Sequence, residues 1–595
     1  MKNINNLAKK SLWLCAVIIL IGAAGCEKDN EKTEPNLNDE FGFNQAEYVS
    51  ILKNSFSFSD TTDPLYQSIK EKLDTLKSLY AVKNFKPIII TSFESKALVD
   101  SLLSILGAVS EHGLKTESYN YTKLKMEFAD AINPKTYDKK RYLHLANAEI
   151  LAAYAVLKYS LNMRHGVVNP RKIFADSYFL PVTDSLNQRL FEPFEQQNII
   201  QYLKNIQPKS EKYQKLQAAL KRFEGIMDLQ WTAIPVTDKK VEPGNVYPSI
   251  DLVINKLITL GFLDTSKVKI NDFSLYDTLL LEPIKSFQRA NGLTDDGVLG
   301  KTTIERLNIS PAEYVDRIIL TLERFRWLDY SDTAKYIMVN IPDFKVYAIE
   351  NQKEKLNITI CAGRKGLWET PNLYGQISYM VLNPTWSVPR SIIQEEIVSG
   401  LRRDSLYLKK RYFKVYKAGE RVSLDGLTAH ELSSSNRYSI VQDPGAGNAL
   451  GKIKFMFKNP FGVYLHDTPT RAPFKYVNRA VSHGCMRVEK PMQLAEYLLT
   501  NNSKWTTDYI KIEIGQKVDN PNLVEEFKIK RGELRKNNSY GVTTEVKFDK
   551  YVPLFVDYYT VWVDENSVFN YRDDVYGRDK VLKEYLMNSK VKIKN

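Results

Sequence analysis

One cysteine and two histidines form the group of residues in this sequence with the clearest chemical potential. Cys485 follows His483 and Gly484 directly, and His466 lies nineteen residues before the cysteine. A thiol is a strong nucleophile only as its thiolate, so it needs a base or a cation close by. The spacing therefore indicates a cysteine nucleophile with a histidine as its base.

An apolar strand and a loop must bring these residues together. Val463 to Leu465 is predicted to form a strand that ends at His466, and about fifteen residues then return the chain to Ser482. Gly484 lets the backbone approach a substrate closely and helps to expose N–H groups for an oxyanion. A histidine and a cysteine at this spacing are a weak signal alone. The whole pattern, H-x16-H-G-C-x-R after an apolar strand, is far more specific.

The chain around this motif is predicted to be rich in strands and to contain an insertion. From about residue 335 the apolar residues alternate with a period of two, which predicts strands at 336–341, 344–349, 356–362 and 377–382. A helical, highly charged stretch at about 391–445 interrupts this pattern. Insertions of this length within a β-domain are often lids or binding loops.

These motifs resemble the L,D-transpeptidase (YkuD) family. Further matches upstream are Ala362-Gly363-Arg364 with Thr370-Pro371, and the segment from Asn383 to Pro389. Residues 558–577 also resemble the larger branch of this family, which combines scaffold, wall-binding and catalytic domains. The resemblance covers nearly the whole mature chain, and it implies a multidomain α+β enzyme that cross-links peptidoglycan.

The same resemblance implies a role for each matching residue. Cys485 corresponds to the nucleophile, His466 to the general base, and the backbone carbonyl of Asp467 to the group that orients this histidine. His483 and Gly484 correspond to residues beside the nucleophile, and the N–H of Cys485 to an oxyanion donor. The remaining matches are residues of the substrate pocket, namely Arg487, Tyr464 and Trp386.

The implied reaction is an acyl transfer in two steps. The thiolate attacks the carbonyl of the third residue of a donor tetrapeptide stem and expels D-Ala. The thioester then reacts with the side-chain amine of a second stem, forming a 3→3 cross-link. Water as the acceptor would make a carboxypeptidase, and a protein lysine would make a protein-to-peptidoglycan ligase. The sequence does not separate these acceptors, and no cofactor is expected.

Three other interpretations of the motif remain open. A structural zinc site built from His466, His483 and Cys485 would lack a fourth ligand and the C-x2-C spacing. A disulfide between Cys361 and Cys485 is conceivable in an exported protein. The context of Cys485 favours a free thiol, and Cys361, on a predicted strand, is expected to be a buried core thiol. A catalytically inactive wall-binding lipoprotein is disfavoured by the intact cysteine and histidine.

The N-terminus predicts export and a lipid anchor. Lys2, Lys9 and Lys10 precede an apolar core at 12–21, and small residues run directly into Cys26. This is typical of a signal peptide at 1–25. It also resembles a bacterial lipobox, which implies lipidation of Cys26. The polar residues up to about 40 are predicted to be a flexible tether.

Composition and hydrophobic patterning divide the rest of the chain. A length of 595 residues predicts about three or four domains. The net charge of +13 is spread along the sequence without a basic block, so nucleic acid is not an expected partner. The expected partners are peptidoglycan stems and glycan, with the membrane contacted through the anchor, and a monomer is expected.

The expected location is the cell envelope of a Gram-negative bacterium. The mature chain is predicted to contain four regions. The string FQRANGLTDDGVLGKTTIERL strongly resembles the small three-helix peptidoglycan-binding domain. Helical patterns without a chemical motif precede it and predict a scaffold. The predicted regions are a helical scaffold domain at 41–245, the peptidoglycan-binding domain at 246–310, the catalytic domain at 330–515 and a C-terminal extension packing on it at 516–595.

Overall fold

The computed structural model describes residues 36–58, 60–182, 190–236, 238–264, 266, 274–328, 330, 333–500, 502, 504–534 and 542–587. The predicted signal peptide, the lipidation site Cys26 and most of the predicted tether lie outside the described residues. Within these ranges, no helix combines the length and the apolar character needed to cross a bilayer.

A helical unit organised around one long central helix forms the N-terminal part. Asp138–His165 runs through it, and its side chains from 150 to 157 are buried on every side, as the continuous apolar run predicts. The other α-helices are Leu37–Glu40, Gln45–Asn54, Pro64–Ile69, Leu73–Val82, Lys96–Gly107, Tyr121–Ala131, Pro170–Phe174, Ile199–Asn205 and Glu211–Glu224. Short 3-10 turns occur at Lys70–Lys72, Val109–His112, Thr116–Tyr119, Ala175–Ser177 and Glu192–Glu195.

A small three-helix unit follows, as the sequence predicts. Its helices are Ile250–Thr259, Leu281–Ala290 and Lys301–Leu307, and a 3-10 turn at Thr278–Leu280 precedes the second. Gly292 and Gly297 have φ of +66° and +77°, which matches the turns expected at these positions. The helix Pro311–Trp327 then leads to the β-rich domain, and its buried side chains share one core with the three-helix unit.

Sixteen strands are named in chain order within the described residues. They are β1 Tyr178–Phe179, β2 Lys335–Asn340, β3 Lys345–Glu350, β4 Lys353–Gly363, β5 Asn372–Leu382, β6 Trp386–Ser387, β7 Phe413–Lys417, β8 Glu420–Val422, β9 Tyr438–Gln442, β10 Ile453–Phe457, β11 Leu465–His466, β12 Ala480–Ser482, β13 Met486–Val488, β14 Thr544–Asp557, β15 Val561–Val563 and β16 Phe569–Tyr571. The four strands predicted between residues 336 and 382 correspond to β2, β3, β4 and β5.

Eight of these strands form a closed sheet. The order is β5-β10-β11-β13-β4-β3-β2-β14, and β14 pairs again with β5. The sequence predicts that residues 516–595 pack on the catalytic domain as an extension, whereas β14 is an integral strand between β2 and β5. Helices outside the sheet are Pro491–Leu498, Thr507–Glu513, Asn522–Leu534 and Arg578–Met587, with a 3-10 turn at Ala472–Lys475.

The predicted insertion between β5 and β10 has its own hydrophobic core. Its first half is a helix in which a π-helical turn, Ile393–Ile397, joins Arg390–Ile392 to Val398–Arg403. Short helices at Tyr407–Lys410 and Ala429–Ser434 follow. The insertion also contains an antiparallel sheet in the order β6-β9-β7-β8, which the sequence analysis did not predict. We call the segment from Trp386 to Gln442 the lid.

Candidate active site

Neighbouring strands deliver the predicted site residues to one region of the barrel. β11 runs parallel to β13, with Leu465 opposite Met486 and His466 opposite Arg487. On its other side, β11 pairs with β10, which sets Lys454 opposite His466. The loop after β11 therefore returns the chain beside His466, and Cys485 lies immediately before β13.

The Tyr464 side chain lies against the imidazole of His466 and near Cys485. Alternate residues of a strand face the same side, so Tyr464 and His466 share a face, and their ring centroids are 5.6 Å apart. Burial raises the pKa of Tyr464, Cys485 raises it further and Trp386 on β6 lowers it, so the tyrosine side chain lies near both residues. This tyrosine thus links the lid to the thiol.

The hydrogen bond of His466 defines which of its nitrogens is free. Its Nδ1 lies 2.5 Å from the carbonyl oxygen of Asp467. A carbonyl only accepts, so Nδ1 carries the hydrogen and Nε2 keeps its lone pair. Burial, together with the positive charges of Arg487 and Lys454, lowers the pKa of His466 to about 3. The imidazole is therefore neutral near pH 7 and able to accept a proton at Nε2.

The thiol of Cys485 is free and half-buried, and its Sγ lies 4.0 Å from the carbonyl oxygen of Gly462. Burial raises the pKa of this thiol, whereas hydrogen bonds from Tyr464 and the charges of Lys454 and Arg487 lower it. The other described cysteine, Cys361, is also free and is fully buried on β4. Burial raises its pKa to about 11. The two thiols do not form the disulfide considered from the sequence.

The turn before Cys485 is held by one hydroxyl. Ser482 Oγ donates to the carbonyl of Cys485 over 2.6 Å and accepts from the N–H of Gly484 over 3.2 Å. Gly484 has φ of +101°, a conformation that side chains disfavour. Its N–H is engaged, and among the described residues the N–H of Cys485 has no hydrogen-bond acceptor. The Cys485 N–H is therefore a free hydrogen-bond donor in this turn.

His483 lies at the lid rather than at the thiol. Its ring packs edge-on against Trp368 with centroids 4.7 Å apart. Its Nε2 lies 3.2 Å from an Arg364 nitrogen and 3.3 Å from Glu396 Oε1 on the π-helical turn. Burial outweighs the opposing charge of Glu396 and lowers the pKa of His483. Its contacts join the turn before Cys485 to the lid.

The structure brings most predicted site residues together and separates one of them. Tyr464, His466, Cys485 and Arg487 lie on adjoining strand positions, and Trp386 reaches them from the lid. Because His483 instead contacts the lid, the ligands of the alternative zinc site do not converge. Within the described ranges, no group of three or more His, Cys, Asp or Glu side chains could hold a metal ion.

Sequence reasoning missed the residues that support this site. They are Lys454, Ser482, Thr370, Trp368, Glu395 and Glu396. Ser482 and Thr370 stand within or next to recognised motifs, so their hydroxyls were a usable signal. No local sequence pattern marks Lys454 or the two glutamates as site residues, because their positions depend on strand register and on the packing of the lid.

The fold and the site together define a cysteine-bearing β-barrel catalytic domain attached to two helical domains. Residues 334–519 match the family described as the L,D-transpeptidase catalytic domain (YkuD). Residues 74–220 match the "Scaffold domain" and residues 248–307 the "Putative peptidoglycan binding domain". The chain therefore contains a YkuD-type L,D-transpeptidase catalytic domain, a scaffold domain and a peptidoglycan-binding domain, as the sequence predicts.

Two known proteins illustrate the likeness. A protein of Haemophilus influenzae named "Putative L,D-transpeptidase" is 29% identical over 267 residues, which are 44% of this chain and 48% of that protein. The chain thus spans about half the length of the curated relative it matches. The crystal structure of the L,D-transpeptidase (residues 123–326) from Xylanimonas cellulosilytica aligns at 14% identity with a TM-score of 0.15, covering 45% of this chain and 94% of that one.

Proposed function

We propose that this chain forms 3→3 cross-links in peptidoglycan through a thioester on Cys485. The observation that supports this most directly is a free thiol at the start of β13, the strand that pairs with β11, where His466 is held with its Nδ1 bound to the Asp467 carbonyl. That bond leaves His466 Nε2 as the base. A histidine held in one tautomer by a hydrogen bond is the usual partner of an activated nucleophile.

In the first step, Cys485 Sγ attacks the carbonyl carbon of the third residue of a donor tetrapeptide. The thiol proton moves to His466 Nε2, the S–C bond forms, and the oxyanion is held by the Cys485 N–H. The C–N bond to D-Ala then breaks, and the leaving amine takes the proton from His466. The lowered His466 pKa makes the imidazolium a strong acid, which favours this second transfer.

In the second step, the side-chain amine of an acceptor stem attacks the thioester. His466 Nε2 removes a proton from this amine, the new C–N bond forms, and the sulfur leaves and is protonated again. Because the resting thiol and imidazole are both neutral, proton transfer accompanies the attack rather than preceding it. Arg487 has no carboxylate partner among the described residues, and we assign it to a carboxylate of the stem.

Muropeptide analysis tests this function and its alternatives. The purified chain, incubated with disaccharide-tetrapeptides, is expected to release D-Ala and to form 3→3 dimers, and Cys485→Ala is expected to do neither. Cys361→Ala is the matched control, because it removes the other described thiol. Tripeptide products without dimers would indicate a carboxypeptidase. If neither the natural chain nor Cys361→Ala gives a product, this would indicate a wall-binding protein without activity.

The cell envelope is the proposed location of this reaction. The catalytic and peptidoglycan-binding domains both fit a role in cell wall biogenesis and cell shape, with peptidoglycan as the partner. We propose that residues 1–25 are a signal peptide and that Cys26 carries the lipid of a periplasm-facing lipoprotein in a Gram-negative bacterium. Metabolic labelling with an alkyne fatty acid is expected to mark the natural chain and not Cys26→Ala.

A further inference from the structure

Lys454 on β10 is a cation inside the site to which neither the proposed reaction nor the family match assigns a role. Its side chain is half-buried, and among the described residues no carboxylate pairs with its ammonium group. Half-burying an ammonium group without a counter-charge is unfavourable. An anion that forms nearby during the reaction would supply the missing counter-charge.

Three contacts define where this ammonium group lies. β10 sets Lys454 directly opposite His466 in the strand register. The Nζ atom lies 3.8 Å from the centroid of the Tyr464 ring, within the range of a cation–π contact. Cys485 acts on the pKa of the same tyrosine and on that of Lys454. The ammonium group and the sulfur are therefore both neighbours of the Tyr464 side chain.

The sulfur of Cys485 faces two cations, while the imidazole of His466 carries no charge. His466 is neutral in the resting state because its pKa is lowered to about 3. Arg487 lies on the same strand pair and is the second cation that faces Cys485. Among the described residues, the charged side chains that act most on the sulfur are Lys454 and Arg487, so the negative charge that Lys454 faces is the one that develops on Cys485.

We propose that Lys454 is a positioning residue that stabilises negative charge on the Cys485 sulfur and keeps the Tyr464 hydroxyl directed at it. The proposal rests on the proposed cysteine chemistry and adds a second element to its activation. When His466 takes the thiol proton, the negative charge left on sulfur faces the Lys454 ammonium group and the tyrosine hydroxyl. Lys454 keeps its three protons throughout, so it acts by charge and does not transfer a proton.

Alkylation of the thiol tests this proposal without any peptidoglycan. Iodoacetamide forms an S–C bond with a thiolate and releases iodide, and as a neutral reagent it is not attracted by a cation. The rate of Cys485 modification is measured from pH 5 to about 10 by intact-protein mass spectrometry, with Cys485→Ala to identify the site. Lys454→Met and Lys454→Gln remove the charge, Lys454→Arg keeps it, and Lys458→Met changes an exposed lysine at the end of the same strand.

Loss of the charge is expected to raise the pKa of the Cys485 thiol by about one unit, which slows modification about tenfold at each pH below that pKa. Lys454→Arg and Lys458→Met are expected to keep the profile of the natural chain. An unchanged profile in both neutral variants would overturn the proposal. If such variants also bound the tetrapeptide more weakly, with a raised KM and the same kcat, Lys454 would instead be a substrate-binding residue.

The result is separable from the proposed function. A chain that is alkylated with the expected shifts but releases no D-Ala from tetrapeptides would contradict the transpeptidase proposal and leave the assignment of Lys454 intact. If the natural chain forms 3→3 dimers but the neutral variants keep its alkylation profile, the transpeptidase proposal stands and the assignment of Lys454 is contradicted.

Discussion

The hydroxyl of Thr370 donates a hydrogen bond of 2.8 Å to the carbonyl oxygen of Gly484, one residue before Cys485. The same hydroxyl accepts a bond of 2.9 Å from the N–H of Gly363, at the end of β4. Thr370 is fully buried, so both partners would be left without a hydrogen bond if the hydroxyl were removed. One side chain therefore holds the cysteine turn against the barrel.

Thr370→Val removes this hydroxyl and keeps the shape of the side chain. We expect the free energy of unfolding to fall by about 1–3 kcal/mol, because a buried N–H and a buried carbonyl lose their partner. We also expect D-Ala release to lose kcat more than KM, since the turn that carries Cys485 shifts. Thr385→Val is the control, because the Thr385 hydroxyl meets only Thr543 at an exposed position. A variant with full kcat would contradict this role.

Gly484→Ala tests the backbone conformation of the same turn. An added Cβ would lie 3.7 Å or more from its neighbours, so there is room for it, but φ of +101° strains any residue with a side chain. We expect a loss of about 1–3 kcal/mol in stability together with a large loss of acylation rate. Acylation is measured by covalent mass gain with a carbapenem.

Gly515→Ala is the matched control for this strain. Gly515 has φ of +77° with nothing within 4 Å of an added Cβ, and it lies in an exposed loop after the helix Thr507–Glu513. We expect a similar loss of stability with normal acylation. Equal loss of acylation in both variants would show that global destabilisation, rather than the turn, controls the rate.

Local sequence patterns predicted the elements of the site, and long-range pairing determined the rest. The strand before His466 and the glycine turn before Cys485 were predictable, because an alternating apolar pattern and a glycine each determine the backbone over only a few positions. The position of Lys454 opposite His466 depends on the register between β10 and β11, which no local pattern encodes.

The domain prediction missed the pairing of β14 because that pairing is also long-range. β14 follows the other barrel strands by many residues and pairs with both β2 and β5. Its alternating burial from Thr544 onwards indicates a strand, but not which strands it joins. The lid glutamates face His483 because a π-helical turn interrupts their helix, a local irregularity that charge and period do not predict.

Stability is expected to depend on pH through His466. Its pKa is lowered in the folded chain to about 3, whereas an unfolded histidine has an ordinary pKa near 6.5. Below about pH 6.5 the unfolded state binds a proton that the folded state does not, so stability is full above that pH and is lost as pH falls towards 3. The expected slope is about 1.4 kcal/mol per pH unit for this one group.

Urea unfolding at several pH values measures this slope. His112 also has a lowered pKa, of about 4, so the natural chain contains more than one such contribution. The difference between the natural chain and His466→Gln isolates the effect of His466, and His430→Gln, at an exposed position, is the control. Parallel curves for the natural chain and His466→Gln between pH 6.5 and 4 would contradict the assigned neutral state.

The lid is expected to open more often when its ion pair with the barrel is removed. Glu395 Oε1 lies 2.8 Å from an Arg364 nitrogen, and this pair joins the π-helical turn to the end of β4. Both side chains are about 40% exposed, so we expect little change in unfolding free energy from Glu395→Gln. Amide hydrogen exchange over residues 393–401 is expected to be faster, because closure loses one of its contacts.

Asp425→Asn is the matched control for this experiment. Asp425 pairs with Lys409 at a similar exposed position, but both residues belong to the lid, so this pair does not join it to the barrel. We expect the variant to leave exchange over residues 393–401 unchanged. High salt should reduce the difference between Glu395→Gln and the natural chain, because exposed ion pairs are screened. Equal exchange in the two variants would show that apolar contacts, and not this ion pair, hold the lid closed.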